Sequence, residues 1–358
     1  MILLVRRAVA LAAVAAVLLP TSGAAARSPL LGIADDLAFA DFRSAPRKAS
    51  FRAARDTGVS VVRLTLDWSA VAPERRTKPP GFNAADPASP LYNWGYIEDA
   101  VRDASDRRLQ VLLTVVRAPP WAGGRSPDPG ELAAFLRAAA RRFSGFYPDP
   151  KRLGDGLTGP GAALPAVHRW QIWDEPNRTS SLRPSGPAHY RTLLDAGAEA
   201  LRAVSDDNVV VAGGTDARNA ARFWRGLRGA SFDVAAHHPV SGRGPVASGP
   251  LKRLARQLHG KPLWLTDVAW ATPPLARHGV GLERQALNLR ISLRRAASVP
   301  AVRLVAWEGL RDRRTYVPRR FPTIASGLYK RSGRPKPVLR VFSPRLPSSA
   351  AWLRELQR

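Results

Sequence analysis

The chain has 358 residues, with 55 lysines and arginines against 28 aspartates and glutamates, a formal charge of +27. It contains no cysteine, which excludes thiol catalysis, zinc knuckles, iron–sulfur sites and a disulfide scaffold; a chain this long can bury a core without such staples. Lysine stands only at 48, 78, 151, 252, 261, 330 and 336, so arginine supplies nearly all of the charge. A charge of this size favours polyanions in principle. The arginines, however, are scattered along expected helices (Arg137, Arg141, Arg142, Arg290, Arg294, Arg295) and no nucleic-acid-binding signature accompanies them. Compositional bias accounts for most of the charge, no nucleic acid partner is expected, and the arginines should spread over the outer helices without one dominant patch. A basic groove leading into the functional pocket would instead point to an acidic polysaccharide.

The N-terminus reads as a leader. Arg6 and Arg7 precede an apolar run, Ala8 to Leu19, which is too short to span a bilayer, and Pro20 and the small residues Gly23 to Ala26 follow it. That order predicts a secretory signal peptide over 1–26, with no stable membrane insertion after its removal and a single domain over 27–358. The expected location is outside the cell, with wall association a further option.

From there, short β-rich runs alternate with amphipathic helical stretches. Strands are expected at Leu30–Ala34, Val59–Leu66, Leu109–Val115, Val167–Trp173, Asn208–Gly213, Phe232–His237, Pro262–Thr266 and Val302–Trp307. Helices are expected at Arg47–Thr57, Tyr96–Arg107, Gly130–Ser144, Ala188–Val204, Ala217–Leu227, Pro250–Leu258 and Leu282–Ala297, with Pro337–Phe342 beginning a last one. Eight strand–helix units predict an α/β fold, a closed parallel (β/α)8 TIM barrel. An open doubly wound sheet lacks its Gly-x-Gly-x-x-Gly turn here. The Pro/Gly-rich pieces Ala72–Pro90 and Phe146–Leu164 read as loops.

In such a barrel the C-terminal strand ends form the active face. This sequence puts Arg63, Asp67 and Trp68 there from strand 2, and Arg117 to Ala122, with Trp121, from strand 3. Asp174-Glu175-Pro176-Asn177 follows strand 4, His237-His238-Pro239 follows strand 6, Asp267 and Trp270 follow strand 7, and Trp307-Glu308 follows strand 8. Acids can protonate glycosidic oxygens, and aromatic faces can stack on sugar rings. A metal site is not expected, because the adjacent His237 and His238 point to opposite faces of a strand. No cofactor is expected, and a serine hydrolase would need a Gly-x-Ser-x-Gly elbow that is missing.

The stretch Trp170-Gln-Ile-Trp-Asp-Glu-Pro-Asn177 resembles the strand-4 signature Trp-x-Ile-Trp-Asn-Glu-Pro-Asn of clan A glycoside hydrolases, nearest in flavour to families 39 and 5. Pro262 to Trp270 resembles the strand-7 signature, Ala235 to Val240 the strand-6 His-Pro-Tyr piece, and Gly327 to Tyr329 with Pro335 to Pro337 the closing segment. The resemblance covers nearly the whole chain after the leader. It implies a glycosidase that cleaves O-glycosidic bonds of a poly- or oligosaccharide, with Glu175 as general acid/base and Asp267 at the nucleophile position. Arg63, Trp121, Asp174, Asn177, His238, Trp270 and Trp307 would bind substrate. The chain departs from the pattern at three places: Asp174 replaces Asn, Val240 stands where Tyr is common, and Asp267 replaces Glu.

The last departure matters most, since losing one methylene retracts a carboxylate by about 1.5 Å and a misplacement of about 1 Å can lower a rate roughly a hundredfold. A retaining pair sits about 5–5.5 Å apart and an inverting pair about 6.5–9.5 Å apart. Glu175 and Asp267 are expected to face one another across a single pocket, within about 9 Å. Negative charge from Asp174 and Asp267 is expected to favour the protonated form of Glu175. Glu308 is the other acid to consider as a substitute, although a solvated loop acid is the plainer reading of it. Two further readings stay open: a carbohydrate-binding barrel that has lost its nucleophile, and a protein whose partner is an anionic cell-wall polymer.

Overall fold

The computed structural model describes residues 28–157, 160–239, 242–276, 279–313 and 325–342; the expected leader and Val240 lie outside them. Strands β1 (Leu30–Ala34), β2 (Val61–Asp67), β3 (Gln110–Val116), β4 (Arg169–Ile172), β5 (Val209–Asp216), β6 (Val234–His238), β7 (Leu263–Val268) and β8 (Val302–Glu308) pair in parallel, each with the next in sequence. β8 returns to β1, where Ala34 lies opposite Glu308, and closes the barrel. The expected fold is the observed one.

Strand alternation separates two cores. In β2, Val62, Leu64 and Leu66 face outward into the layer shared with the helices, while Val61 faces the lumen. Val61, Leu112, Val211, Val234, Ala236 and Leu304 make that lumen floor, a small apolar plug. Two residues further along several strands, on the same face, the side chains turn polar: Arg63 above Val61, Thr114 above Leu112 and His238 above Ala236. The floor fills the barrel, and the polar layer above it becomes the mouth.

The helices obey local rules. In helix Pro129–Arg142, Asp128 caps the N-terminus by accepting from Glu131 N at 2.9 Å, and proline takes the first position. Helix Pro187–Arg202 packs on this helix and on β4 through Gly197, where an added Cβ would come 2.7 Å from Leu136 Cδ1 and 2.8 Å from Ile172 Cδ1. Of the two expected loops, Ala72–Pro90 follows β2 and the short helix after it. Phe146–Leu164 instead precedes β4, on the opposite rim from the mouth, and holds a short helix at Pro150–Gly154.

Several arginines that look like surface charge in the sequence are structural. Arg142 Nε donates to Glu98 Oε1 at 2.6 Å, Arg102 bonds Glu98, Asp99 and Asp149, and Arg47 reaches Asp103 at 2.7 Å. These contacts lock helices Ser44–Asp56, Gly95–Ser105 and Pro129–Arg142 to the loop before β4. Glu98 is 5% exposed. Breaking a buried pair leaves an uncompensated charge, so Glu98→Ala is expected to lower unfolding stability by about 3–5 kcal/mol in denaturant melts. A change within about 0.5 kcal/mol, the range of ordinary surface substitutions, would show that the network is only surface charge.

Candidate active site

The mouth is built around one buried cation. Arg63 leaves β2 on the lumen face, donates from Nε to Thr114 Oγ1 at 3.0 Å and meets Asp174 Oδ2 at 2.9 Å. Burial disfavours its charge, yet Asp174, Asp36 and Asp267 around it hold the guanidinium pKa above its ordinary value. Asp174 also accepts from Gln171 Nε2 at 2.8 Å. An asparagine at 174 would offer a donor; this aspartate is an acceptor for Arg63 and Gln171. Asp36 accepts from Thr65 N at 3.2 Å, and burial raises its pKa although Arg63 opposes the shift.

The backbone aims these acids by unusual means. Trp173 and Glu175 sit at φ +69° and +46°, in the left-handed region that bulky residues avoid, at about 1–2 kcal/mol each. Glu175 N donates to Gly214 O at 3.1 Å, and the Asp174 carbonyl accepts from Ser181 Oγ. Opposite them, β5 bulges between Gly213 and Thr215 against β6. Gly214 takes φ +73°, and a Cβ there would run into Asp174 Oδ1 and Gln171 Nε2. Asn177 ties the two loops together: its Nδ2 donates to Asp216 O and Arg218 O at 2.8 Å, and its Oδ1 accepts from Asp216 N at 3.0 Å. Its amide is fully engaged by backbone, so the expected substrate contact is replaced by a structural clasp.

His238 has a carboxylate beside each ring nitrogen, with Nε2 3.5 Å from Asp174 Oδ1 and Nδ1 3.5 Å from Glu175 Oε1. Its pKa is raised: burial works against the imidazolium, but Asp174, Glu175 and Asp267 outweigh it. His237 points to the other face of β6, within 3.1 Å of Thr215 Oγ1, and burial pushes its pKa down to about 4. The groups that meet Glu175 are Arg178 Nη1 at 3.3 Å and His238, whose protonated form is favoured, whereas negative neighbours were expected.

The acid in the most unusual setting is Glu308. Its carboxyl hydrogen-bonds that of Asp267, and its pKa is raised well above the ordinary value, first by the Asp267 charge, then by burial and the shared hydrogen bond. Two touching carboxyls cannot both ionise without penalty, so the pair holds one proton. Glu308 is thus part of the site and not a solvated loop acid. Alternation along β8 could have shown this. Leu304 faces the lumen, so Ala306 and Glu308 face it too, while Trp307 turns outward.

The three tryptophans expected to bind substrate fare differently. Trp307, 1% exposed, packs on Phe342 and Trp270 and donates to Gly309 O and Ser326 O at 3.1 Å. Trp270, 3% exposed, donates to Gly244 O at 2.8 Å. Neither offers an open ring face, because both fill the core behind the strands. Trp121 keeps partial exposure above an aromatic cluster with Trp68 and Phe82, and its indole donates to Pro73 O at 2.8 Å. Arg117, at φ +52°, pairs with Asp67 on the rim between β2 and β3.

Two outcomes are expected. Gly214→Ala should unseat Asp174 and lower stability by about 1–3 kcal/mol, read by thermal melts. Glu308→Gln keeps a hydrogen-bond donor toward Asp267 and removes the titration. A carboxyl whose folded pKa is raised adds stability below its ordinary value and loses it as pH climbs through the raised one. The variant should therefore gain on wild type progressively over the range of rising pH that starts at the ordinary glutamic acid value, read in urea melts. A constant difference across that range would contradict proton sharing with Asp267.

No protein-family model and no curated protein sequence matches the chain. Solved structures that share its fold include a monomeric β-xylosidase from Caulobacter crescentus CB15, at 17% identity and TM-score 0.62, covering 88% of this chain and 67% of that one. A GH39 enzyme from Xanthomonas axonopodis pv. citri follows at 15% and 0.60, covering 88% and 65%. A GH5_18 protein from Streptomyces cattleya in complex with GlcNAc stands at 16% and 0.62, covering 90% and 82%. The chain thus spans about two thirds of the length of the first two. Identities this low speak to fold alone, and the fold is the (β/α)8 barrel of family 39 and family 5 glycoside hydrolases.

Proposed function

We propose that the protein is an exported glycosidase that hydrolyses O-glycosidic bonds with carboxyl groups from three strand ends. One observation carries this reading: Glu175 after β4 and the proton-sharing pair Asp267 and Glu308 on β7 and β8 open onto one mouth, in environments that differ in charge. Carboxyls that reach one mouth from separate strand ends are what glycoside cleavage needs, one to donate a proton and one to act as base or nucleophile. The shared barrel fold adds weight, and export is proposed from the leader expected in the sequence.

In this reading Glu175 protonates the departing glycosidic oxygen. His238, whose protonated form is favoured by the acids around it, stands 3.5 Å from Glu175 and can resupply the proton. Asp267 acts at the sugar carbon from the other side, either directly or through a water. Glu308 hydrogen-bonds Asp267 and orients that shorter acid, which compensates for the missing methylene. Arg63 holds Asp174 at the floor of the same mouth and screens the crowded negative charge.

Hydrolysis of a panel of aryl glycosides by wild type, Glu175→Gln and Asp267→Asn tests the reading. Each substitution is expected to lower kcat at least about a hundredfold on any substrate that wild type cleaves, the scale of a lost general acid or base. Equal, non-zero rates for wild type and Asp267→Asn would remove Asp267 from the chemistry. Inactive wild type with undiminished sugar binding would favour the carbohydrate-binding barrel instead.

A further inference from the structure

A cavity of about 580 Å³ opens beside the acidic mouth, between the turn after β1 and the segment after β8. That volume suits a small ligand such as one or two sugar rings, and it is far too small for a nucleic-acid duplex. Arg43, Arg311, Arg313 and Arg331 line it, with Asp41 and Asp312 as its acids. Arginines therefore gather here, where a spread over the helices was expected.

Both acids already have cations of their own. Asp41 is chelated by Arg43, whose Nε and Nη2 lie 3.1 and 2.8 Å from its oxygens. Asp312 accepts from the buried Lys336 Nζ at 2.7 Å and from Gly327 N at 2.9 Å. Arg313 in turn meets Asp35 Oδ2 at 3.1 Å, which leaves Arg311 and Arg331. Arg311 donates from Nε to the Arg331 carbonyl at 3.0 Å, a neutral partner, and its pKa is lowered by burial and by the charges of Arg313 and Arg331. Like charges held together in a half-buried recess are unfavourable unless an anion joins them.

The cavity also shares a wall with the mouth. Leu310 N and Arg313 Nη2, both from residues lining it, donate to Asp35 Oδ2 at 2.9 and 3.1 Å. Asp35 in turn contributes to the field on Glu308. A saccharide bound across the mouth could therefore place a neighbouring sugar unit against the arginines. The flat fork of a guanidinium matches a carboxylate with two parallel hydrogen bonds.

We propose that this arginine-lined cavity is a subsite for the carboxylate of an acidic sugar unit, so that the substrate is a uronate-bearing saccharide. The proposal rests on the glycosidase reading for the word substrate, while the binding itself does not. Isothermal titration calorimetry with trigalacturonate, xylotriose and sodium sulfate, on wild type, Arg331→Gln, Arg311→Gln/Arg331→Gln and Glu175→Gln, tests it. Arg331 is exposed, so its single variant should fold whatever becomes of the double one.

Wild type and Glu175→Gln are expected to bind trigalacturonate more tightly than xylotriose. Arg331→Gln should weaken the acidic ligand severalfold and the double variant about tenfold or more, with xylotriose affinity unchanged and added salt acting in the same direction as the substitutions. Equal affinity for the acidic and neutral trisaccharides, undiminished trigalacturonate binding by Arg331→Gln, or binding of sulfate without either saccharide would each overturn the proposal. The titration needs no turnover, so loss of the glycosidase reading through Asp267→Asn kinetics would leave this result standing.

Discussion

The mouth of this barrel depends on one electrostatic constraint: Asp36, Asp174, Glu175, Asp267 and Glu308 crowd into a space whose buried cation is Arg63. Ionising all of them together in a partly desolvated pocket would be prohibitive. The structure divides the load. Asp174 pairs with Arg63, Glu175 leans on Arg178 and His238, and Asp267 and Glu308 hold a proton between them. Each acid therefore meets a different environment, and that difference lets carboxyls of similar intrinsic strength take different chemical roles.

Holding acids this close requires backbone that a stable fold would otherwise avoid. Left-handed conformations at Trp173 and Glu175 turn the chain abruptly where β4 ends, and the Gly213-Gly214 bulge in β5 clears room for Asp174 and Gln171. The clasp made by Asn177 over the β5 end, and the ion network among Glu98, Arg102 and Arg142 outside the barrel, belong to the scaffold that tolerates this strain. Strain in one place and compensating order around it are two sides of the same construction.

Much of the architecture was legible from residues. Apolar runs and helical periodicity located every strand to within about three residues, because a closed barrel imposes the same hydrophobic logic on all eight units. The strand-4 and strand-7 ends were legible because acids there contradict burial. The assignments at 307 and 308 were inverted for a physical reason: a tryptophan next to an acid draws attention, but alternation along β8 decides which of them faces the lumen. Asn177 and Trp270 could not be read from spacing, since their partners, Asp216 at the end of β5 and Gly244 beyond β6, are distant in sequence. The gathering of arginines beside the mouth was hidden for the same reason, as Arg43 meets Arg311, Arg313 and Arg331 only when β1 and β8 close the barrel.

The central claim is that Asp267 and Glu308 share one proton above the pH at which an ordinary glutamic acid ionises, and it can be observed without a substrate. Infrared difference spectra between wild type and Glu308→Gln, taken from the ordinary glutamic acid range upward in pH, report protonated carboxylic acid groups through their carbonyl stretch. The account predicts a protonated-acid band in wild type that disappears in Glu308→Gln and, in wild type, fades only as the pH rises through the raised Glu308 value. Wild type spectra in which that band is already lost within the ordinary glutamic acid range would contradict it.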